Sequence, residues 1–157
     1  MRGPVWSVAV PGLRITTPED DATLEDWRFV HNTVVPDAAM SLDEARERLG
    51  RYLLEVVYDG GDLVGCTTGR PPEGDATAAT VIVRVLPRWR GRGIGAALYD
   101  RAMAQAARHG APAVETVVWE ANEGGVRFAK ARGFVEVDRY LPEPGAVAYL
   151  TLRLGPA

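Results

Sequence analysis

The chain has 157 residues, of which 46% are hydrophobic and 25% charged, and a formal net charge of −3. That length suits one compact domain with a sizeable core, and the composition lies far from that of disordered chains. The mildly acidic balance argues against a protein that grips nucleic acid through bulk charge. A single cysteine, Cys66, excludes a disulfide framework or a cysteine-rich metal site within one chain.

Residues 1–12 read as a loose leader, with a brief apolar run and no small-residue cleavage pattern after it. One domain is expected over 13–157. No apolar run approaches the ~20 residues of a membrane span, so a soluble, cytoplasmic protein with no membrane partner is expected. A short strand is predicted at 13–16, ended by Pro18. Leu24, Trp27, Phe29, Val30 and Val34 then recur near helical spacing behind an acidic start, and Pro36 stops that helix. Ser41 with Glu44 forms a capping box for a second helix bearing Leu42, Ala45, Leu49 and Tyr52. Segments 53–58 and 63–68 are β-rich and joined by Asp59-Gly-Gly-Asp62, a hairpin signal. Cys66 falls in this apolar pattern and reads as a buried structural thiol.

A Pro- and Gly-rich loop at 70–75 precedes a long β-branched strand at 77–86, whose pairing Pro87 ends. A helix over 93–109 carries the ridge Ile94, Leu98, Ala102 and Ala106 and is closed by Gly110. A strand at 114–119, a helix at 122–132 and an antiparallel pair at 134–141 and 147–154 complete the chain. The fold class is therefore α/β (α+β) with a mixed sheet of about seven strands and about four helices, built around one strand-helix-strand unit with parallel strands.

That unit contains the most informative segment, in which a hydrophobic strand runs through Arg90, Gly91, Arg92, Gly93 and Gly95 straight into a helix. Glycines let a ligand approach the backbone, and the opening turn of a helix leaves unpaired N–H groups at the positive end of its dipole. This is an anion site. Gly91-x-Gly93-x-x-Ala96 also fits a dinucleotide fingerprint, with Glu115 or Glu120 near the ribose spacing, but the hairpin-connected strands before it do not make a doubly wound fold. A phosphate loop is excluded because no Gly-Lys-Ser/Thr follows.

Val85-x-Pro87-x-x-Arg90-Gly91-x-Gly93-x-Gly95 resembles the acetyl-coenzyme A motif of the GNAT superfamily of N-acetyltransferases. In that family an Arg or Gln is followed by x-x-Gly-x-Gly/Ala. Asn122 opening a helix that ends in Gly133-Phe134 resembles the family's next motif, and the element order agrees from about Leu13 to Leu154. The resemblance implies a GNAT-like fold and acetyl-CoA as acyl donor, with no metal. It implies that the backbone of Val83 and Val85 pairs with the pantetheine arm and that amides from Gly91 to Ala96, Ile94 included, cradle the pyrophosphate beside Arg90 and Arg92. A bulge near Val85 and Leu86 would splay the strand, with the Leu86 backbone stabilising the oxyanion. Asn122 would cap its helix, bind pantetheine, or do both. Gly133 and Phe134 suit an αL helix end with its hydrophobic contact.

One position departs from the pattern. The tyrosine that in many family members protonates the departing thiolate stands five residues before the Phe of Gly-Phe, and here that residue is Ala129. Tyr140 and Tyr149 are the candidate acids and Glu120, at the end of the cleft-lining strand, the candidate base. Trp27, His31 and Glu55 are candidate acceptor contacts. The expected activity is direct acetyl transfer to a primary amine of a small-molecule or peptide acceptor, without nucleic acid, and a homodimer is compatible with it. The alternative is a catalytically weak acyl-CoA-binding or sensing domain.

Overall fold

The computed structural model describes residues 12–74 and 77–154. The expected leader, apart from Gly12, and Asp75 of the expected loop lie outside them.

Local signals set the element boundaries. β1 (Leu13–Thr16) leads to α1 (Asp21–Val34), whose N-cap Asp20 accepts a hydrogen bond from the Thr23 N–H at 2.8 Å. A 3-10 turn at Pro36–Ala38 follows, and α2 (Leu42–Arg51) begins with the complete Ser41–Glu44 capping box. β2 (Leu53–Asp59) and β3 (Asp62–Arg70) form the expected hairpin, with Gly60 at φ 61° in the turn. β4 (Ala78–Val85) runs into a 3-10 turn at Pro87–Trp89 and then α3 (Ile94–Ala107), after which Gly110 takes φ 67°. β5 (Ala113–Trp119), α4 (Glu123–Ala131), β6 (Val135–Tyr140) and β7 (Tyr149–Leu154) complete the fold. α4 ends as the sequence predicts. Phe134 N–H reaches the Ala129 carbonyl at 3.1 Å and Gly133 N–H the Lys130 carbonyl at 3.0 Å, with Gly133 at φ 96°. Those two bonds make a Schellman motif.

The strands form one seven-stranded sheet in the order β1-β2-β3-β4-β5-β7-β6. Only β4 and β5 run parallel; the other neighbours are antiparallel. Alternation along the strands sends side chains to two helical layers. Leu54, Val56, Tyr58 and Cys66 pack with Leu24, Trp27 and Val30 of α1 and Ala45 of α2. On the other face Val57 and Val64 meet Leu98 of α3, and Val81, Val114 and Leu152 meet Tyr99, Ala102 and Ala129. No helix among the described residues is long and apolar enough to cross a membrane.

The sheet is open at its centre. β4 stays in register with β3 from Thr80 opposite Arg70 to Val85 opposite Gly65, whereas its pairing with β5 stops at Thr80 opposite Glu115. β5 meanwhile follows β7 as far as Trp119 opposite Tyr149. This corrects one expectation: the ladder from β3 to β4 has no register shift, so no bulge near Val85 and Leu86 splays the strands. They part because each follows its outer neighbour.

Gly65 fixes how closely β3 and β4 approach. A Cβ there would lie 2.5 Å from the Arg84 carbonyl oxygen, a backbone atom with nowhere to turn. We expect Gly65→Ala to push β4 toward the gap and destabilise the domain by about 1–3 kcal/mol, the usual cost of overpacking. Urea unfolding of the two proteins checks this; equal midpoints would mean that β4 yields freely.

Candidate active site

The gap between β4 and β5 opens into a cleft of about 360 Å³, which Val83 and Val85 share with Thr116, Trp119, Asn122 and Ala129. Its chemistry begins with strand parity. Leu86 N–H donates to the Val64 carbonyl at 2.9 Å, so the even-numbered residues of β4 direct their backbone groups at β3. Alternation turns the N–H and C=O groups of Val81, Val83 and Val85 the other way, toward a β5 that no longer pairs with them. The cleft thus receives backbone groups of Val83 and Val85. Leu86, expected as the oxyanion donor, points away with its N–H already used, because a one-residue offset reverses direction in a strand.

Beyond β4 the chain turns through Gly91 at φ 78° and Gly93 at φ 83°, a left-handed backbone that favours glycine. A Cβ at either would meet no protein atom within 4 Å, so open space lies in front of both. The α-helices α1, α2 and α4 have their first turn capped by the side chains of Asp20, Ser41 and Asn122; α3, with Gly93 at its N-cap, has no side-chain cap. Ala97 N–H is the first to bond back, to the Gly93 carbonyl at 3.1 Å. The amides of Ile94, Gly95 and Ala96 therefore face the cleft mouth without a partner inside the helix. Arg88 and Arg92 lie against the Trp89 ring at 5.6 and 4.8 Å, and Arg90 Nε donates to the Val85 carbonyl at 2.9 Å. Asn122 Oδ1 accepts from Gly125 N–H at 3.1 Å, so this residue caps α4 while lining the cleft.

The remaining candidates are scattered. Trp27 is buried, with Nε1 donating to the Thr67 carbonyl at 3.2 Å, and His31 stacks on it at 5.5 Å; both belong to the core under α1 rather than to the cleft wall. Glu55 is buried on the α3 face, paired with Arg101 at 2.7 Å and bonded by the Thr67 hydroxyl at 2.9 Å. Glu120 pairs with Arg139 at 2.8 Å on a half-exposed strand end and does not line the cleft. Tyr140 is 62% exposed on the edge strand β6. Tyr149, its partner across the hairpin, is half-buried beside Trp119. Burial first, and Asp37 second, raise its phenol above the ordinary value, with Arg84 opposing. Cys66 is buried as expected, and that burial pushes its thiol up to about 12.

Three cleft residues were not singled out from sequence. Tyr99 of α3 is buried against Phe128 and Phe134, in the same cluster as Ala129, and faces the Thr116 hydroxyl. Burial raises its phenol. Arg84 and Trp119 line the α1 side of the gap. Arg84 did leave a signal, as the one charge in the apolar run 80–86, whereas Tyr99 and Trp119 look like ordinary core positions.

The model of the acetyltransferase (GNAT) family matches residues 19–134. No protein in a curated set matches the sequence. Among solved structures, yncA of Salmonella typhimurium, determined with its cofactor acetyl-CoA, is 20% identical, covers 91% of this chain and 93% of its own, and superposes with a TM-score of 0.68. Naa50 of Arabidopsis thaliana, in complex with the bisubstrate analogue CoA-Ac-MVNAL, is 18% identical over 92% and 99% of the two chains, with a TM-score of 0.71. The ribosomal-protein-alanine N-acetyltransferase of Brucella melitensis, 18% identical over 91% and 99%, also scores 0.71.

His31 provides a test of the core beneath the cleft. Asn32 accepts from Met40 N–H and donates to the Met40 carbonyl, so its Oδ1 faces His31 Nδ1, which must carry the hydrogen of a neutral ring. Burial, then the nearby Arg84 charge, lower its pKa to about 4. The unfolded ring titrates near ~6.5, so the unfolded state binds the extra proton in between. Stability from this group is complete above that value and is lost as pH falls toward 4, by about 3 kcal/mol in all. Urea unfolding of wild type and His31→Gln between pH 7.5 and 4.5 should show a shallower decline in the variant; parallel declines would place a protonated ring in the folded protein.

Proposed function

The chain belongs to the acetyltransferase (GNAT) family, and from that membership we propose that it moves an acetyl group from acetyl-CoA directly to the primary amine of a small-molecule or peptide acceptor. The observation that carries this reading is the uncapped N-terminus of α3 at the mouth of a cleft whose β4 edge has no strand partner. Acetyl-CoA brings a thioester: the amine nitrogen bonds to its carbonyl carbon, the carbon–sulfur bond breaks, and the proton lost by the amine balances the thiolate. The acetyl-CoA held by the Salmonella protein and the CoA–peptide analogue held by Naa50 support the same donor here.

In this reading Val83 and Val85 offer a strand edge to the amide-bearing pantetheine arm. Asn122 sits across the cleft from them and can turn between its cap and the ligand. The amides of Ile94, Gly95 and Ala96 hold the pyrophosphate, with Gly91 and Gly93 giving access and Arg90 and Arg92 adding charge. An N–H of the β4 edge, from Val83 or Val85, stabilises negative charge on the acyl oxygen in place of Leu86. A primary amine with a pKa near ~10 must lose a proton before attack. Glu120 is held by Arg139, and among the described residues no carboxylate lines the cleft, so we assign that proton to water.

The thiolate needs a proton in return. Position 129 cannot give one, but Tyr99 stands on the same wall against the same cluster, and its raised pKa keeps the hydroxyl protonated. Tyr99 is therefore the acid of this proposal, with Tyr149, on the α1 side, the second candidate.

Thiol release with acetyl-CoA and a panel of amines is the direct test, and tight acetyl-CoA binding without release across the panel would favour the sensing reading instead. Gly93→Glu should abolish acetyl-CoA binding, while Gly93→Ala, which carries the same backbone strain of roughly 1–2 kcal/mol, should retain part of it; unchanged affinity in the Glu variant would remove the turn from the site. Tyr99→Phe should lower kcat by roughly 100-fold or more with the KM for acetyl-CoA unchanged. A kcat drop confined to Tyr149→Phe would move the acid to β7.

A further inference from the structure

Arg84 is an anomaly in the cleft. It sits in the middle of the sheet, on the face that looks toward α1, and lines the gap with Val34, Val35 and Trp119. Among the described residues its guanidinium has no carboxylate partner and no hydrogen bond, in a strand whose other side chains are Ala, Thr, Val and Ile. A half-buried cation without a counter-charge still carries a desolvation cost, and folded proteins ordinarily supply a partner or a ligand for one. The surroundings sharpen the point. His31 beside it is neutral, Cys66 is protonated, and two further guanidiniums, of Arg48 and Arg70, lie close enough to repel it. Asp37, which acts on neighbouring Tyr149, is exposed on its 3-10 turn and forms no pair with Arg84.

A second unmatched group lies on the same side of the same gap. Trp119 Nε1 is buried and has no hydrogen-bond partner, and its ring packs against the α1 core with Leu86 and Tyr149. An indole N–H is a donor only, and so is a guanidinium. A half-buried guanidinium on the cleft wall and an unpartnered indole N–H beside the same gap ask for one acceptor-rich anion.

The donor substrate does not answer that need. Its pyrophosphate is accounted for at the open end of α3, beyond the strand, and the pantetheine arm and thioester between are uncharged. The α1 side of the gap is where an amine can approach the thioester from the face opposite α3. We propose that Arg84 and Trp119 Nε1 form a carboxylate subsite for the acceptor, making the substrate a small amine that also carries a carboxylate, of the amino-acid type. Arg84 takes the carboxylate through its planar fork, the indole N–H takes a remaining lone pair, and the amine is left facing the cleft. The inference rests on the acetyl-transfer reading for the chemistry, though not for the binding.

The test uses matched acceptors: free amino acids, the same amino acids as primary amides, and the corresponding decarboxylated amines. Thiol release is followed with acetyl-CoA, and equilibrium binding of each compound is measured to the protein alone and to its complex with CoA. The acids should be preferred by roughly 10- to 100-fold over amides and amines, the worth of one charge-assisted hydrogen-bonded contact. Arg84→Gln should erase that preference while leaving acetyl-CoA affinity as it was, and Trp119→Phe, which keeps the ring and removes the N–H, should reduce it by a few-fold. Amides or amines that bind and react as well as the acids, a preference that survives in Arg84→Gln, or no binding of any carboxylate in the series would each overturn the subsite. Binding of acids without thiol release would leave the subsite standing and strike the acetyl-transfer reading alone.

Discussion

The parting of β4 from β5 after Thr80 and Glu115 is the constraint on which the rest of the molecule depends. Backbone polar groups in the centre of a sheet cannot stay unpaired and dry without cost, and an open strand edge is a template for whatever can bond to it. Most sheets end such edges at their rim. Here the edge lies at the centre of the sheet, with core clusters on both faces and the cleft opening along the gap. The rigidity comes from outside the gap: β4 is tied to β3 through a ladder without a shift, at a spacing set by Gly65, and β5 is tied to β7 from Val114 to Trp119.

Parity then divides the work within β4. Its even residues spend their backbone on β3 and turn their side chains to α1; its odd residues turn their backbone to the gap and their side chains, Val81, Val83 and Val85, to the α3 face. One strand thus offers a hydrogen-bonding edge and, at Arg84, a charged side chain on the opposite face. The same alternation explains why an error of a single residue mattered so much for Leu86.

The features legible in the sequence were the local ones. Glycines at φ above zero, the Ser41–Glu44 box, the Gly60 hairpin and the Gly133 helix end are dictated within a few residues, and the mixed sheet follows from their order. The glycine turn from Arg90 to Gly95, with Gly91 and Gly93 at positive φ ahead of α3, was legible for the same reason. What failed depends on partners far apart in the chain. Glu55 could not be known to meet Arg101, nor Glu120 to meet Arg139, nor the N–H of Leu86 to be taken by Val64. Trp27 and His31 sit on a helix whose inward face is set by the sheet it covers, and their polar atoms turned out to be satisfied by Thr67 and Asn32 inside the core. The contact of Tyr99 with the cluster around Ala129 crosses from α3 to α4, a relation that no spacing within either helix records.

The distribution of buried charge separates the structural from the functional. Glu55 and Arg101 are both nearly buried, and their pair, reinforced by the Thr67 hydroxyl and Gln105, ties α3 to the strands β2 and β3. A buried ion pair contributes little net stability, because desolvation offsets much of the attraction, but breaking it leaves an uncompensated charge and so fixes geometry strongly. That geometry is the one the cleft needs, since α3 must hold its open N-terminus at the end of β4 and Tyr99 one turn further along against the gap. Where the fold needs two elements held, it buries a charge with its counter-charge. At Arg84, half-buried on the cleft wall, no counter-charge stands among the described residues, and the carboxylate subsite proposed there is the arrangement in which one would arrive from solution.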